Sequence, residues 1–263
     1  MPVRLLIVLL AVATAVPLAL AWRADDGAVA VYAVPFALAF AAALAFRPQL
    51  DWAYYRRRPA DLEAPVRALF AAQLPGYYQA LDADAQRRFR ERVFLTRLGL
   101  DFKPMAMGDA EELPPDLQAL LASQLARVLD GLPRFTVTPF ETVVVYRHPF
   151  DSPEHPGVFH HSELYAEDGV LIFNLEYALP GILRPRERFN VVLYEWLRAA
   201  AQADPPVALP TPPDGPWEDL VARLARRTPD WVTGAVGLEV VDETAVKRVL
   251  AMEFGLGGQN AAT

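Results

Sequence analysis

Cysteine is missing from all 263 residues. Its absence excludes disulfides and thiolate chemistry but leaves the compartment open, because a reducing environment does not follow from it. A GxSxG elbow is missing too, and Ser123, Ser152 and Ser162 stand in no nucleophile-elbow context, so serine hydrolysis has no support. The glycine-rich stretch GLGG begins at Gly255 and has no helix after it, which rules it out as a phosphate-cradling loop. No internal repeat is present. Positive charge is short as well. From Arg47 onward 23 Lys+Arg face 30 Asp+Glu without a basic stripe, which argues against nucleic acid as a partner.

Apolar residues are abundant, at 53%, and unevenly spread. Leu5 to Trp22 and Ala28 to Phe46 are charge-free runs of 18 and 19 residues, each long enough as a helix to cross roughly 30 Å of hydrocarbon. Only Arg23 to Gly27 separates them, so residues 1–46 read as a transmembrane hairpin, with membrane contact through 5–46. Arg47, Arg56, Arg57 and Arg58 follow the second run together with Trp52, Tyr54 and Tyr55, rings suited to the headgroup region. Residues 47–60 are thus a basic, aromatic juxtamembrane segment. The positive-inside rule puts both termini on the cytoplasmic side of an inner membrane. The competing reading is a signal peptide over residues 1–21, cleaved after Ala19-Leu20-Ala21, which would leave the second run as an anchor.

Beyond residue 60 the periodicity predicts helices over 61–73, 83–98 and 115–130, the second with Asp82 as N-cap and the third closed by Gly131. The period then changes. Residues 140–146 and 170–173 are rich in β-branched and aromatic residues and read as two strands of one small sheet. The 23 residues between them carry all four histidines and read as a long loop. A short helix should end at Pro180-Gly181, and another should run from about Arg186 to Gln202. Residues 204–216 place six prolines in thirteen positions and read as a stiff connector. Helices at 217–226 and 242–254 complete a soluble domain over 61–254, and 255–263 reads as a flexible tail. Helices, small sheet and helices in that order give an α+β class.

Several stretches in this order resemble the Mlc titration factor A family of zinc-dependent metallopeptidases. They are YYRRRPADLEAPVRALF, LPGYYQALDADAQRRFRERVFL, PRFTVTPFETVVVYRHPF, GVLIFNLEYALPG and RERFNVVLYEWLRAA. The resemblance covers the chain from about Trp52 to the end and implies a zincin-type, mostly helical domain with a small sheet. In that family the last stretch carries HExxH, where two histidines at i and i+4 share zinc and the glutamate activates the bound water. Here Tyr194-Glu195-Trp196-Leu197-Arg198 occupies the motif. A phenol must ionise to bind zinc well, and a guanidinium offers no lone pair. The family's further ligand, a glutamate on a later helix, matches Glu243 best, with Glu239 as second choice. Tyr194, Arg198 and Glu243 are therefore degenerate ligand positions, Glu195 is a vestigial general base, and no cofactor is expected although the family uses zinc.

Glu195 has two readings. It is either a partly exposed helix charge paired with Arg198 at i+3, or one arm of a cluster in which the Arg198 guanidinium replaces the metal between Glu195 and Glu243, with Tyr194 as a lid. His148, His155, His160 and His161 lack helical spacing and read as a solvated surface loop. The resemblance implies a membrane-anchored, catalytically inactive pseudoenzyme that binds or regulates a protein partner, since family members are linked to a transcriptional repressor of sugar uptake. The alternatives are an active zinc-dependent peptidase with a site rebuilt from Glu195, Glu243 and a loop histidine such as His160, or a membrane scaffold.

Overall fold

The computed structural model describes residues 2–24, 27–74, 76–108, 112–152 and 155–255, so the 255–263 tail lies, apart from Gly255, outside the described residues. The chain divides into two compact units, Met1–Pro59 and Ala60–Thr263.

The first unit holds α1 (Pro2–Ala24), α2 (Gly27–Ala30), a 3-10 turn (Val31–Ala33), α3 (Val34–Ala45) and α4 (Arg47–Arg57). The second apolar run, expected as one helix, tightens at Val31–Ala33 because Pro35 has no N–H to give the Val31 carbonyl. Val34 N–H takes that carbonyl instead. α1 packs against α3, yet protein covers only 6% and 11% of the two apolar stretches. Leu5, Leu9, Val12, Val16 and Leu20 form an exposed stripe on α1, and Leu38 and Leu44 are exposed on α3. The core helix of a soluble protein is covered. The helical stretches Val3–Ala24 and Gly27–Ala45 are long and apolar enough to cross a membrane and leave uncovered the surface that hydrocarbon solvates well.

The second unit is mostly helical with a small mixed sheet. It opens with Leu62 buried between two ion-paired acids. Asp61 accepts from Arg90 (2.8 Å) and Glu63 from Arg97 (2.6 Å), which ties the start of the unit to α7 (Ala83–Gly99). α5 (Ala64–Gln73) and α6 (Tyr77–Ala80) precede α7, whose N-cap Asp82 accepts from Ala85 N–H at 2.8 Å. β1 (Asp101–Met105), α8 (Pro115–Val128) and β2 (Thr142–Tyr146) follow. From Ala119 to Val128 every residue of α8 is buried, more than the expected apolar face, because helices cover it on several sides.

The stretch from 147 to 169, expected as a loop, contains three strands. β3 (Phe150–Ser152) and β4 (His155–His160) form a two-stranded antiparallel ribbon, while β5 (Ser162–Tyr165) joins the main sheet. With β6 (Val170–Asn174) that sheet runs β1-β2-β6-β5; β1, β2 and β6 are parallel and β5 is antiparallel to β6. Gly169, at φ +64°, makes the β5–β6 turn. A side chain there would strike the Pro139 carbonyl, so only glycine fits.

α9 (Leu175–Leu183) runs through Pro180 instead of ending there, and Gly181 lets it approach the Phe189 backbone. α10 (Val191–Ala201) starts five residues later than expected. α11 (Trp217–Leu220), a π turn (Val221–Ala225), α12 (Asp230–Val236) and α13 (Glu243–Phe254) complete the unit.

α8, α10 and α13 are joined by a buried polar network. Arg127 donates to Gln124 Oε1 (3.0 Å) and Glu253 Oε1 (2.8 Å), and Asn190 Nδ2 donates to the same two acceptors at 3.0 and 2.9 Å. The Arg127 and Glu253 side chains are only 6% and 8% exposed, so removing one strands the other charge in the interior. Arg127→Ala should lower the unfolding free energy by about 3 kcal/mol or more, read by urea denaturation of the full chain in detergent.

Candidate functional site

Asn190 decides where α10 begins. Its side chain accepts from Leu193 N–H (3.1 Å) as a helix cap while its amide donates into the Arg127 network, so Arg186 to Phe189 stay outside the helix. Tyr194, Glu195 and Arg198 follow on the first two turns.

Glu195 is 0% exposed. Ser162 Oγ, on β5, donates to its Oε1 at 2.7 Å, and Arg198 Nη1 donates to its Oε2 at 2.7 Å. Both oxygens therefore accept, the pattern of an ionised carboxylate. The Arg198 guanidinium lies 5.5 Å from the Tyr194 ring centroid, as residues at i and i+4 share a face. Tyr194 Oη accepts from Asp242 N–H (2.9 Å) at the cap of α13, and Phe189 meets the tyrosine ring edge-on at 5.8 Å.

Burial pushes the Glu195 carboxyl above its ordinary range, Glu163 nearby adds to that, and Arg198 and Ser162 pull it part of the way back. Arg198 is raised as well. Burial alone would lower it, and Glu195, Tyr194 and Asp242 outweigh that effect. Arg198 stays protonated, and the hydrogen bonds it and Ser162 donate to Glu195 favour the charged carboxylate. Tyr194 is pushed up to about 12, first by burial and then by Glu195.

These positions sharpen both expectations for Glu195. The i+3 pair with Arg198 exists, but the carboxylate is buried, not partly exposed. Glu243, expected on the far side of the guanidinium, is exposed in the first turn of α13; its neighbour Asp242 is the acid that acts on Arg198. The reason is the helix start. Asp242, also exposed, is the cap residue and accepts from Ala245 N–H (3.0 Å), which puts Glu243 one position further on, in the exposed first turn. Glu239 is exposed too. The Tyr194 ring lies against the Arg198 guanidinium, and its hydroxyl, which accepts from Asp242 N–H, also fastens the tyrosine to α13. Sequence reasoning missed Ser162, whose partner lies 33 positions away with no local signal, and Asp242, which a helix-cap pattern could have found.

The histidines part company. His148 is exposed and meets Glu176 at 2.6 Å, as a surface residue would. His160, at the end of β4, is buried against Phe150, and His161 stacks on Tyr177 at 3.5 Å between ring centroids. The expectation of one solvated loop is therefore wrong for both: the ribbon and β5 carry them inward. Burial holds His161 below its ordinary pKa, only partly offset by the Ala235 and Gly234 carbonyls. The side chain of His155 lies outside the described residues.

Among the described residues no three of His, Asp or Glu converge as a metal's ligands would. Tyr194 and Arg198 do not fit a zinc ion either, since the Tyr194 oxygen is un-ionised and engaged and Arg198 brings a positive charge. A cleft of about 420 Å³ is lined by Phe189 together with Glu176, Tyr177, Arg184, Arg188 and Trp231. No family model matches the chain, and neither does a curated protein or a solved structure.

The sign of the pH dependence follows from the direction of the Glu195 shift. A carboxyl raised on folding contributes stability that is fully present below its unfolded pKa near 4.5 and is lost as pH rises through the folded value. Arg198→Ala should remove the group that opposes this, costing about 3 kcal/mol or more at neutral pH. The loss should shrink toward about pH 4, and Glu195→Gln in the same background should restore most of it; denaturation midpoints across that range are the measurement.

Proposed function

We propose that the chain is a membrane-anchored, catalytically inactive relative of the Mlc titration factor A-type metallopeptidases, with a zincin-like domain that serves as a protein-binding or regulatory module. The burial of Glu195 carries this reading. A general base must reach a metal-bound water or the substrate, whereas this carboxylate is 0% exposed and spends both oxygens on Ser162 and Arg198. The motif's first ligand position, Tyr194, is spent on the start of α13, and its second, Arg198, on the glutamate itself. Residues that once met a metal would, on this reading, now hold helices and a strand together.

The cleft beside Phe189 offers a partner an aromatic wall and charges of both signs, and the apolar pair α1 and α3 offers a membrane anchor. With the arginine-rich segment 47–58 after the second span, the domain would face the cytoplasm.

Zinc content and aminopeptidase activity should be measured on the parent and on Glu195→Gln side by side. Less than one zinc per several chains, with no chelator-sensitive activity in either protein, is the expected result. Stoichiometric zinc, with activity abolished by chelation and by Glu195→Gln, would establish instead the working peptidase rebuilt from Glu195, Glu243 and His160. For the anchor, the full chain should stay with membranes through alkaline carbonate washing, and deletion of residues 1–46 should release it. Cleavage after Ala21, seen by N-terminal sequencing of the mature protein, would replace the hairpin with a single span.

A further inference from the structure

We propose that α4 and the three arginines at its end form a binding site for anionic phospholipid headgroups. The site rests on the membrane reading of the apolar helices, because its place in the bilayer comes from them. α3 ends at Ala45 and α4 begins at Arg47, with only Phe46 between them. At about 1.5 Å of rise per residue, whatever depth the second span reaches, the first turn of α4 starts within a few ångströms of its end. A helix of eleven residues, about 16 Å long, therefore begins in the headgroup layer.

Charge and side-chain type select the lipid. Asp51 is the sole acid between Arg47 and Arg58, and it is spent on Arg47 at 3.7 Å. Arg56, Arg57 and Arg58 remain exposed, and among the described residues no ion pair includes them. The next acids along the chain are committed elsewhere: Asp61 to Arg90 and Arg67, Glu63 to Arg97. Three adjacent guanidinium groups thus carry unneutralised charge beside a membrane span. Guanidinium forks match phosphate oxygens, and a net negative headgroup leaves that charge for them.

The rings supply the interfacial fit. Trp52 stands at i, Tyr55 at i+3 and Arg56 at i+4, so the two rings and one cation share a face. Tyr54 meets Tyr55 edge-on at 5.2 Å, Arg57 stands at i+3 from Tyr54 on the helix, and Arg58 follows as its C-cap. None of the α4 residues is buried. Amphipathic rings with a polar tip settle at the boundary between acyl chains and headgroups, which holds the arginines at the depth of the phosphates.

The test is native mass spectrometry of the full chain after reconstitution in nanodiscs that mix phosphatidylcholine with phosphatidylglycerol. Each arginine near an anionic surface contributes about a fivefold preference, so three give roughly 100-fold. The parent should retain phosphatidylglycerol over phosphatidylcholine by that order. Arg56→Gln/Arg57→Gln/Arg58→Gln should bring the ratio near unity, the triple lysine variant should keep most of it, and high salt should weaken it. Competition by inorganic phosphate at equal concentration should be negligible, since the rings contribute only with an intact lipid. Equal retention of the two lipids by the parent, or an unchanged ratio in the glutamine variant, overturns the proposal. Carbonate washing of both proteins separates its failure from failure of the anchor. If the parent itself is extracted, the membrane reading falls and the site with it; if only the triple variant is extracted, the single variants must each lose about fivefold, or the proposal fails.

Discussion

The second unit depends on the near-complete burial of α10. Every residue from Val191 to Leu197 is buried, so polar groups in that span are costly unless partnered inside the protein; the Trp196 indole N–H has no hydrogen-bond partner among the described residues, whereas the others do. The helix carries a glutamate and a tyrosine there and starts from an asparagine. The three reach three neighbouring elements between them: Asn190 meets α8 and the last turn of α13, Tyr194 the start of α13, and Glu195 strand β5. Hydrophobic packing brings the elements together but does not fix their register; directional bonds do.

α13 illustrates the consequence. Its cap residue gives a backbone N–H to Tyr194, and its last turn gives the Glu253 carboxylate to Asn190 and Arg127, so both of its ends are fastened to the first turn and a half of α10. The connection from α10 to α13 is long and proline-rich and carries little regular structure before α11. A segment arriving by such a route gains its position from its end contacts, and these are polar, buried and numerous enough to select one seating. Pro205 and the other connector prolines keep that route short of alternatives.

Much of this was legible from local pattern. The helices now seen as α7, α8 and α13, the strands β2 and β6, and the cap Asp82 lie within a few residues of their expected bounds, because each has a strong period and a chemical stop signal; α8 is capped by Leu129, two residues before the expected Gly131. β1 was missed because DFKPM carries a lysine and a proline and is an edge strand, held only by β2. β3 to β5 were missed for a related reason: prolines, glycine and histidines hide a ribbon and an edge strand whose order comes from pairing, not propensity. At the candidate site the Glu195–Arg198 pair could be read from its spacing. Its burial and its Ser162 partner could not, since both depend on where β5 lies against α10. The choice between Asp242 and Glu243 turned on a single helix cap.

A glutamate buried on α10 is therefore not by itself a sign of chemistry. A carboxylate buried without metal is costly unless donors surround it, and a well-packed apolar residue in the same place is often as stable or more so. What an apolar residue cannot do is accept the Ser162 hydroxyl and the Arg198 guanidinium at once, one from a strand and one from its own helix. Glu195 thus fixes the depth at which β5 sits on α10, a task that needs a buried acceptor with two oxygens and no access to solvent. The same demand explains Arg198. A neutral residue there would leave the glutamate to face burial with one hydroxyl, and its raised pKa would draw in a proton, removing an acceptor lone pair and loosening the tie to the sheet. The cation is the condition for keeping the acid, and the pair is the condition for this seating of strand on helix.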